Sequence, residues 1–435
     1  MFTFQFRLAA ACGLLSLVAA SATFAETDPT LPDGPPLSLR EAVRNTLDHN
    51  PELAQFAFQL QAQDARADGA GLRPAPEVSL QFDNVLGTGR TRGLDDAEAT
   101  LALSQVIELG GQRSRRIEAA QGGRDQIEVA REIAQLDVLA ELGRRFVHAA
   151  SDQKQLQLTG LATRLAEQTV AEIERRVNDA RSPRVELNRA RIALARAKVL
   201  QEHAEHELLT SRRKLAAMWG QREPDFGPVD AALFELPRIK NFEALAQRLS
   251  RSPDFMQFAT EARQRDAEIA VALSQARGAI TVSGGLRRLQ QTQDTALVAG
   301  VSMPLFSARR AQPAIAEAEA LRAGIDSKAA AQRIRAEASL FAWVQELRHA
   351  ITEATVLRDE VLPQMEAALT DTRTAWQRGR YSYLEWTEAQ RERIEIERAL
   401  IVAAADAHLY RVEIERLTGA ALTDPNAATT AGVAP

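Results

Sequence analysis

Cysteine is nearly absent from this 435-residue chain, Cys12 being the only one. Disulfides therefore cannot staple the fold, and no cysteine set exists to hold zinc. Aromatic residues are 5% of the total, too few for one large globular core and better suited to closely packed, alanine-rich helices. Beyond residue 25 no apolar run approaches the ~20 residues that a membrane-spanning helix needs. Any passage through a bilayer would have to be made by β-strands. Positive charge is in slight deficit, at a net −5, which excludes the basic footprint of a nucleic-acid binder. No serine, cysteine or histidine constellation for nucleophilic chemistry stands out, so the chain does not read as an enzyme.

The first 25 residues read as an export signal: one charge at Arg7, an apolar run from Leu8 to Ala20, and small-residue cleavage sites at Ala20-Ser21-Ala22 or Thr23-Phe24-Ala25. Cys12 lies behind too short an apolar stub to favour lipidation. A Pro-rich leader occupies residues 26–37, and residues 420–435 read as a flexible tail.

Between them the sequence is written twice. Leu47-Asp48-His49-Asn50-Pro51 returns 202 positions later as Leu249-Ser250-Arg251-Ser252-Pro253, and Gly220 returns 199 positions later as Gly419. The repeats run over residues 38–220 and 241–419, joined by a linker at 221–240. Each carries a helix–strand–strand–helix–helix order. Ser38-Leu39-Arg40-Glu41 is a capping box that opens a helix expected to reach about Arg73, where Pro74 and Pro76 end it. Its counterpart is expected over 241–277.

Period-2 alternation predicts strands at about 77–84 and 99–107, and again at about 279–287 and 296–304. Segments of about ten residues alternating apolar with small or polar groups fit lipid-facing barrel strands, or else half-buried hairpins of a soluble protein. Long helical segments follow at 111–179 and 309–378, with apolar and small residues at 4-3 spacing, as in Val129, Ile133, Leu136, Ala140, Gly143, Val147 and Ala150. A segment of about 70 residues reaches ~105 Å. Pro363 is expected to kink the second. The fold class is therefore mostly α with a small β part, a rod of coiled-coil helices with strands at one end. Four strands cannot close a barrel, and an open edge in lipid leaves unpaired backbone groups. If the strands enter lipid, other copies must complete them, and three copies would supply 12 strands.

Val106-Ile107-Glu108-Leu109-Gly110-Gly111-Gln112-Arg113 after the second strand, and Gly379-Arg380-Tyr381-Ser382-Tyr383-Leu384-Glu385 with Trp386-Thr387-Glu388-Ala389-Gln390-Arg391 at the last turn, carry a resemblance. Over about Ser38 to Gly419 the chain resembles the TolC-like outer-membrane efflux channels. The Glu-Leu-Gly-Gly-Gln-Arg stretch and the Arg181-Ser182-Pro183 turn resemble the heavy-metal (CzcC-like) branch. The resemblance implies a homotrimer with a 12-stranded barrel in the outer membrane and a long α-helical periplasmic tunnel. It implies a periplasmic adaptor and an inner-membrane pump of RND type as partners, passive export with no cofactor, and heavy-metal cations as favoured cargo. Drug or peptide export by the same fold is the alternative, as is a soluble coiled-coil adaptor or scaffold.

The candidate sites follow. Glu385 and Glu388 share one face of the last helix's first turn, and Glu186 matches Glu385 in the first repeat. The resemblance places these acids at a narrow aperture, where a ring of carboxylates would favour cations. Ser382-x-x-Glu385 is equally a capping box. The turns at Arg181, Ser182, Pro183 and at Gly379, Arg380, Tyr381, Ser382 are, by resemblance, the adaptor-facing surface. Pro183 is expected at the first helical position behind a Ser182 N-cap, and Ala180, where the second repeat has Gly379, puts the first turn's geometry in question. Copy two has Ser307-Ala308 in place of Gly110-Gly111. Arg113, Arg115, Arg116, Arg309 and Arg310 crowd two helix starts against the dipole; lipid phosphates or strand-end carbonyls would offset the cost. His203 and His206, among Glu202, Glu205 and Glu207, are weak metal candidates, and a solvated helix face is the plainer reading.

Overall fold

The computed structural model describes residues 34–419. The signal, most of the Pro-rich leader and the tail lie outside the described residues. A short strand β1 (Leu37–Ser38) leads into α1 (Leu39–His49) and α2 (Pro51–Ala70); β2 (Glu77–Asp83) and β3 (Glu98–Glu108) follow, then α3 (Gln112–Asn178) and α4 (Arg184–Ala216). After β4 (Val229–Asp230) the order recurs as α5 (Phe242–Leu249), α6 (Pro253–Gln275), β5 (Ala279–Leu289), β6 (Thr295–Ser302), α7 (Ser307–Val356), α8 (Leu362–Gln377) and α9 (Tyr383–Thr418). No described helix is long and apolar enough to cross a membrane.

Three continuous helices of the sequence reading are in fact broken. The helix expected over 39–73 divides at Asn50-Pro51. Pro51 has no N–H and disfavours helical backbone at the residue before it. Asn50 takes extended dihedrals, and its side chain accepts from Glu52 N at 2.9 Å and Leu53 N at 3.2 Å. Ser252-Pro253 likewise divides 241–277, Ser252 taking extended dihedrals but making no side-chain cap bond. The segment 309–378 is interrupted by a π turn at Leu357–Val361, with Pro363 in the first turn of α8. The expected proline kink thus takes the form of a widened turn around Asp359, the residue four before Pro363, whose carbonyl the ring would otherwise strike.

α3, with 67 residues, spans ~100 Å. In the half nearer the sheet, α3 packs on α2 and α6, and α6 on α7; in the other half α3 packs on α4 and α9, and α9 on α7 and α8. The result is a slab of helices side by side, with α4 along one margin and α7 along the other. Midway, α1, the parallel pair β1–β4 and α5 wrap the slab. There Leu142, Phe146, Leu215, Trp219 and Phe226 form one buried cluster, and Leu249, Leu340, Val344 and Ile414 another.

β2, β3, β5 and β6 form one antiparallel sheet in that order. Its register lines up Leu80, Leu101, Leu286 and Leu297 across all four strands. Each of the four is more than half exposed, as are Val78, Phe82, Leu103 and Val301. The opposite face is polar: Arg287 donates to Thr100 Oγ1 at 3.0 Å and pairs with Glu98 at 2.9 Å. The glycine role at the strand–helix junction also differs from expectation. Gly111 caps α3 in left-handed conformation, and in the second repeat this falls to Phe306 (φ 61°), not to Ser307 or Ala308.

Candidate functional site

At the end of the rod away from the sheet, the two hairpins α3–α4 and α8–α9 close on turns of identical hydrogen bonding. After α3, Ala180 N donates to Val177 O at 3.0 Å and Arg181 N to Arg176 O at 2.7 Å. After α8, Gly379 N donates to Trp376 O and Arg380 N to Ala375 O, both at 2.9 Å. Both are Schellman closures, which require a left-handed residue; Ala180 adopts φ 55° and Gly379 φ 71°. Alanine in the first repeat therefore leaves the turn's geometry intact. Pro183, expected at the first helical position, is instead the N-cap residue, and its carbonyl accepts from Glu186 N at 3.1 Å. Pro183 keeps an extended ψ of 150°, so the helix begins one residue later, and the Ser182 hydroxyl accepts from Arg176 Nε at 3.3 Å.

Beneath these turns Ile173, Ala190, Trp376, Tyr383 and Trp386 form a buried cluster drawn from both hairpins. The rings of Trp376 and Trp386 stack with centroids 4.1 Å apart, and the Arg176 guanidinium lies 4.5 Å over Trp376. This cross-hairpin packing was not read from the sequence as a contact. Its signal was the presence of two of the chain's four tryptophans on either side of the last turn.

The three candidate acids have different surroundings. Glu385 closes a complete capping box: its carboxylate accepts from Ser382 N at 2.7 Å, and Ser382 Oγ accepts from Glu385 N at 3.3 Å. The bond from the Ser382 amide, then that from its hydroxyl, holds the carboxyl below the ordinary range, so it stays charged. Glu388 pairs with Arg391 at 2.6 Å on the exposed face. Glu186 is half-buried in the first turn of α4. Burial and then the Glu186 charge push the Tyr383 phenol up, so the acids of both hairpins belong to one end of the molecule. Arg181, Gly379, Arg380 and Tyr381 are exposed on the turns.

Elsewhere, Arg116 pairs with Glu108 at the end of β3 and donates to Leu72 O at 3.3 Å, and Arg115 pairs with Glu118 at 2.8 Å. Protein carboxylates thus face these two cations. Arg113, Arg309 and Arg310 are exposed. His203 and His206 are exposed on α4, and no group of three metal-ligating side chains is placed to hold an ion among the described residues.

Midway along the rod lies a band of titratable groups that spacing along one helix could not reveal, because it assembles across helices. Burial raises Asp152 on α3 and Asp406 on α9, and the charge of His148 acts on both; Glu353 on α7 further raises Asp406, and Glu207 on α4 further raises Asp152. His408 is buried beside a cavity of about 210 Å³ lined by Gly143, Phe146, Leu233 and Arg411. Its Nε2 meets Leu233 O at 3.0 Å, and burial, then Arg411, lowers its pKa to about 4. It is therefore neutral near pH 7 and donates to that carbonyl.

Comparison with known proteins places this geometry. The family described as outer membrane efflux protein matches residues 42–221. The chain is 26% identical over 384 residues to the cobalt-zinc-cadmium resistance protein CzcC of Cupriavidus metallidurans, covering 88% of this chain and 90% of that one. It is also 26% identical over 282 residues to the nickel and cobalt resistance protein CnrC of the same organism, covering 62% and 66%. Among solved structures, a membrane protein from Pseudomonas aeruginosa superposes with a TM-score of 0.73 at 18% identity, covering 88% of this chain and 92% of that one. CusC gives 0.72 at 16% identity, with coverage of 88% and 92%. The outer membrane protein VceC from Vibrio cholerae gives 0.69 at 16%, covering 88% and 97%. With a duplicated rod ending in a small sheet that has one exposed apolar face, the chain is similar to the outer membrane efflux proteins along most of its length and has the TolC-like fold.

Proposed function

We propose that three copies close into a passive duct that carries divalent heavy-metal cations from an inner-membrane pump, through a periplasmic adaptor, across the outer membrane. The observation that carries this reading is that both layers end on open edges. β2 and β6 each pair on one side only within the chain, while the sheet turns a row of leucines outward. Hydrocarbon cannot satisfy unpaired backbone groups, so such a sheet must find further strands. The helical slab repeats the pattern. Val185, Ile192 and Val199, each more than half exposed, run at heptad spacing along α4, and Ile334 and Phe341 are exposed on α7. A heptad stripe facing water asks for a partner helix, and cyclic symmetry supplies it by joining one edge to the opposite edge of the next copy.

The cargo reading rests on relatives that are cobalt, zinc, cadmium and nickel resistance proteins. At the closed end, Glu186, Glu385 and Glu388 line the aperture, and their carboxylates, multiplied by three, attract cations. The exposed turns Arg181-Ser182-Pro183 and Gly379-Arg380-Tyr381-Ser382 meet the adaptor. The outward sheet face excludes a soluble adaptor as the better account, since water would gain nothing from a row of exposed leucines.

Detergent-extracted protein should run as a trimer and form cation-preferring pores in planar bilayers. Glu385→Ala with Glu388→Ala should lower the cation-to-anion permeability ratio. A stable water-soluble monomer would rule out the duct, and an unchanged ratio would remove these two acids from the aperture.

A further inference from the structure

Five of the chain's six histidines fall within one band of the rod, ~13 Å deep: His148 on α3, His203 and His206 on α4, His349 on α7 and His408 on α9. Counted from the tip turns at Ala180 and Gly379, they lie about 23 to 32 residues away, or ~35 to ~48 Å along the helices. The shared cluster beneath the tips keeps the two hairpins in register. The charges felt across helices agree: Glu207 and His148 act on Asp152, and His148 and Glu353 act on Asp406.

Two of these helices are the margins of the slab. On α4 the exposed stripe of Val185, Ile192 and Val199 continues at 4-3 spacing into His203 and His206, both exposed. Polar groups at seam positions weaken a helix–helix contact unless they find partners. One turn away, Glu202 lies four before His206 and Glu207 four after His203, neighbours on the helix surface. On the other margin, α7 offers His349, three-quarters exposed, with Nε2 3.6 Å from Glu353. Within one copy no three such groups converge among the described residues. Joining the α4 margin of one copy to the α7 margin of the next sets Glu353 level with His206, with His349 one turn, ~6 Å, farther from the tips.

We infer that the seam between neighbouring copies binds a divalent cation of borderline softness, with His203 and His206 from one copy and His349, backed by Glu353, from the next. Imidazole with carboxylate suits zinc, nickel, cobalt and copper, and disfavours calcium and magnesium. The inference rests on the ring of copies proposed above and adds to it a metal-dependent clasp, distinct from the acidic aperture at the tips.

The test uses full-length trimer in detergent, stripped with chelator and titrated with Zn²⁺ alone. Calorimetry should give about three ions per trimer by symmetry, and zinc should raise the temperature at which trimers dissociate to monomers on native gels. His203→Ala with His206→Ala, and separately His349→Ala, should each weaken binding by about tenfold or more. Co-expressing the two variants should restore about a quarter of the sites, because that share of seams joins an intact α4 to an intact α7. Trimers that ignore zinc, or a His349→Ala variant that binds as the parent does, overturn the seam site and leave the ring standing. A protein that is monomeric with or without zinc overturns both.

Discussion

Ala180 holds a left-handed backbone that costs an L-residue with a Cβ about 1–2 kcal/mol, and it does so at an exposed turn. Ala180→Gly should relieve that strain, less the ~0.5–1 kcal/mol by which glycine favours the unfolded chain, for a net gain of up to about 1 kcal/mol in thermal unfolding. The turn itself was legible in the sequence from Pro183 and from the parallel with Gly379. What could not be read was that the closing bonds of the Schellman turn would outweigh the side chain's preference. His408 gives a second residue-level expectation. Its folded pKa is depressed to about 4, below the unfolded value near 6.5. Unfolded chains therefore bind the proton first as pH falls, and the fold loses up to about 3 kcal/mol between pH 6.5 and 4 through this group. Asp406 and Glu415, raised mainly by burial, act in the opposite sense, so total stability conceals the effect. His408→Gln keeps a donor toward Leu233 O, and subtracting its pH–stability curve from that of the parent should isolate the slope. Equal slopes would show that the imidazole titrates normally. Nothing in the neighbourhood of His408 in the sequence announced its burial, because the chain that covers it comes from the linker around Leu233.

At the scale of elements, Asn50 does two jobs: its carbonyl caps α2 and its amide donates to Met218 O at 2.8 Å inside the core. Asn50→Ala removes both and leaves a buried carbonyl unpaired, so unfolding experiments should register a loss of about 2–3 kcal/mol. A loss under half a kcal/mol would mean that α1 and α2 are held in line by packing alone. Pro51 and Pro253 were visible as duplicated landmarks, yet each was read as part of a helix when it begins a new one. Periodicity of apolar residues passes smoothly through a capped break and so cannot locate it. The strands were easier, since a period of two and a following glycine-rich loop mark them. Their register was not available from either signal, and it is the register that assembles the leucine row. Leu297→Arg places a charge in that row and should cost about 2–4 kcal/mol if the row meets hydrocarbon near its midplane. Refolding into bilayers measures this, and a neutral outcome would put the face in water.

For the whole molecule, the duplication explains why a thin rod can be stable without a globular core. Its buried groups lie in separate clusters strung along the slab, at the wrapped middle and at the tips. The sequence displayed the two halves and the lengths of their helices, but not which helices would be marginal. That depends on α3 and α9 meeting in the middle of the slab, a contact between residues hundreds of positions apart. The same arrangement has a genetic consequence. In the three-copy ring proposed above, a subunit with one ruined margin would still offer a sound opposite margin, so it would enter a ring that it cannot complete. In cells making sound and ruined chains equally, only about one ring in eight would contain sound chains alone. Edge variants should therefore be dominant over the parent allele, whereas variants that never fold should be recessive.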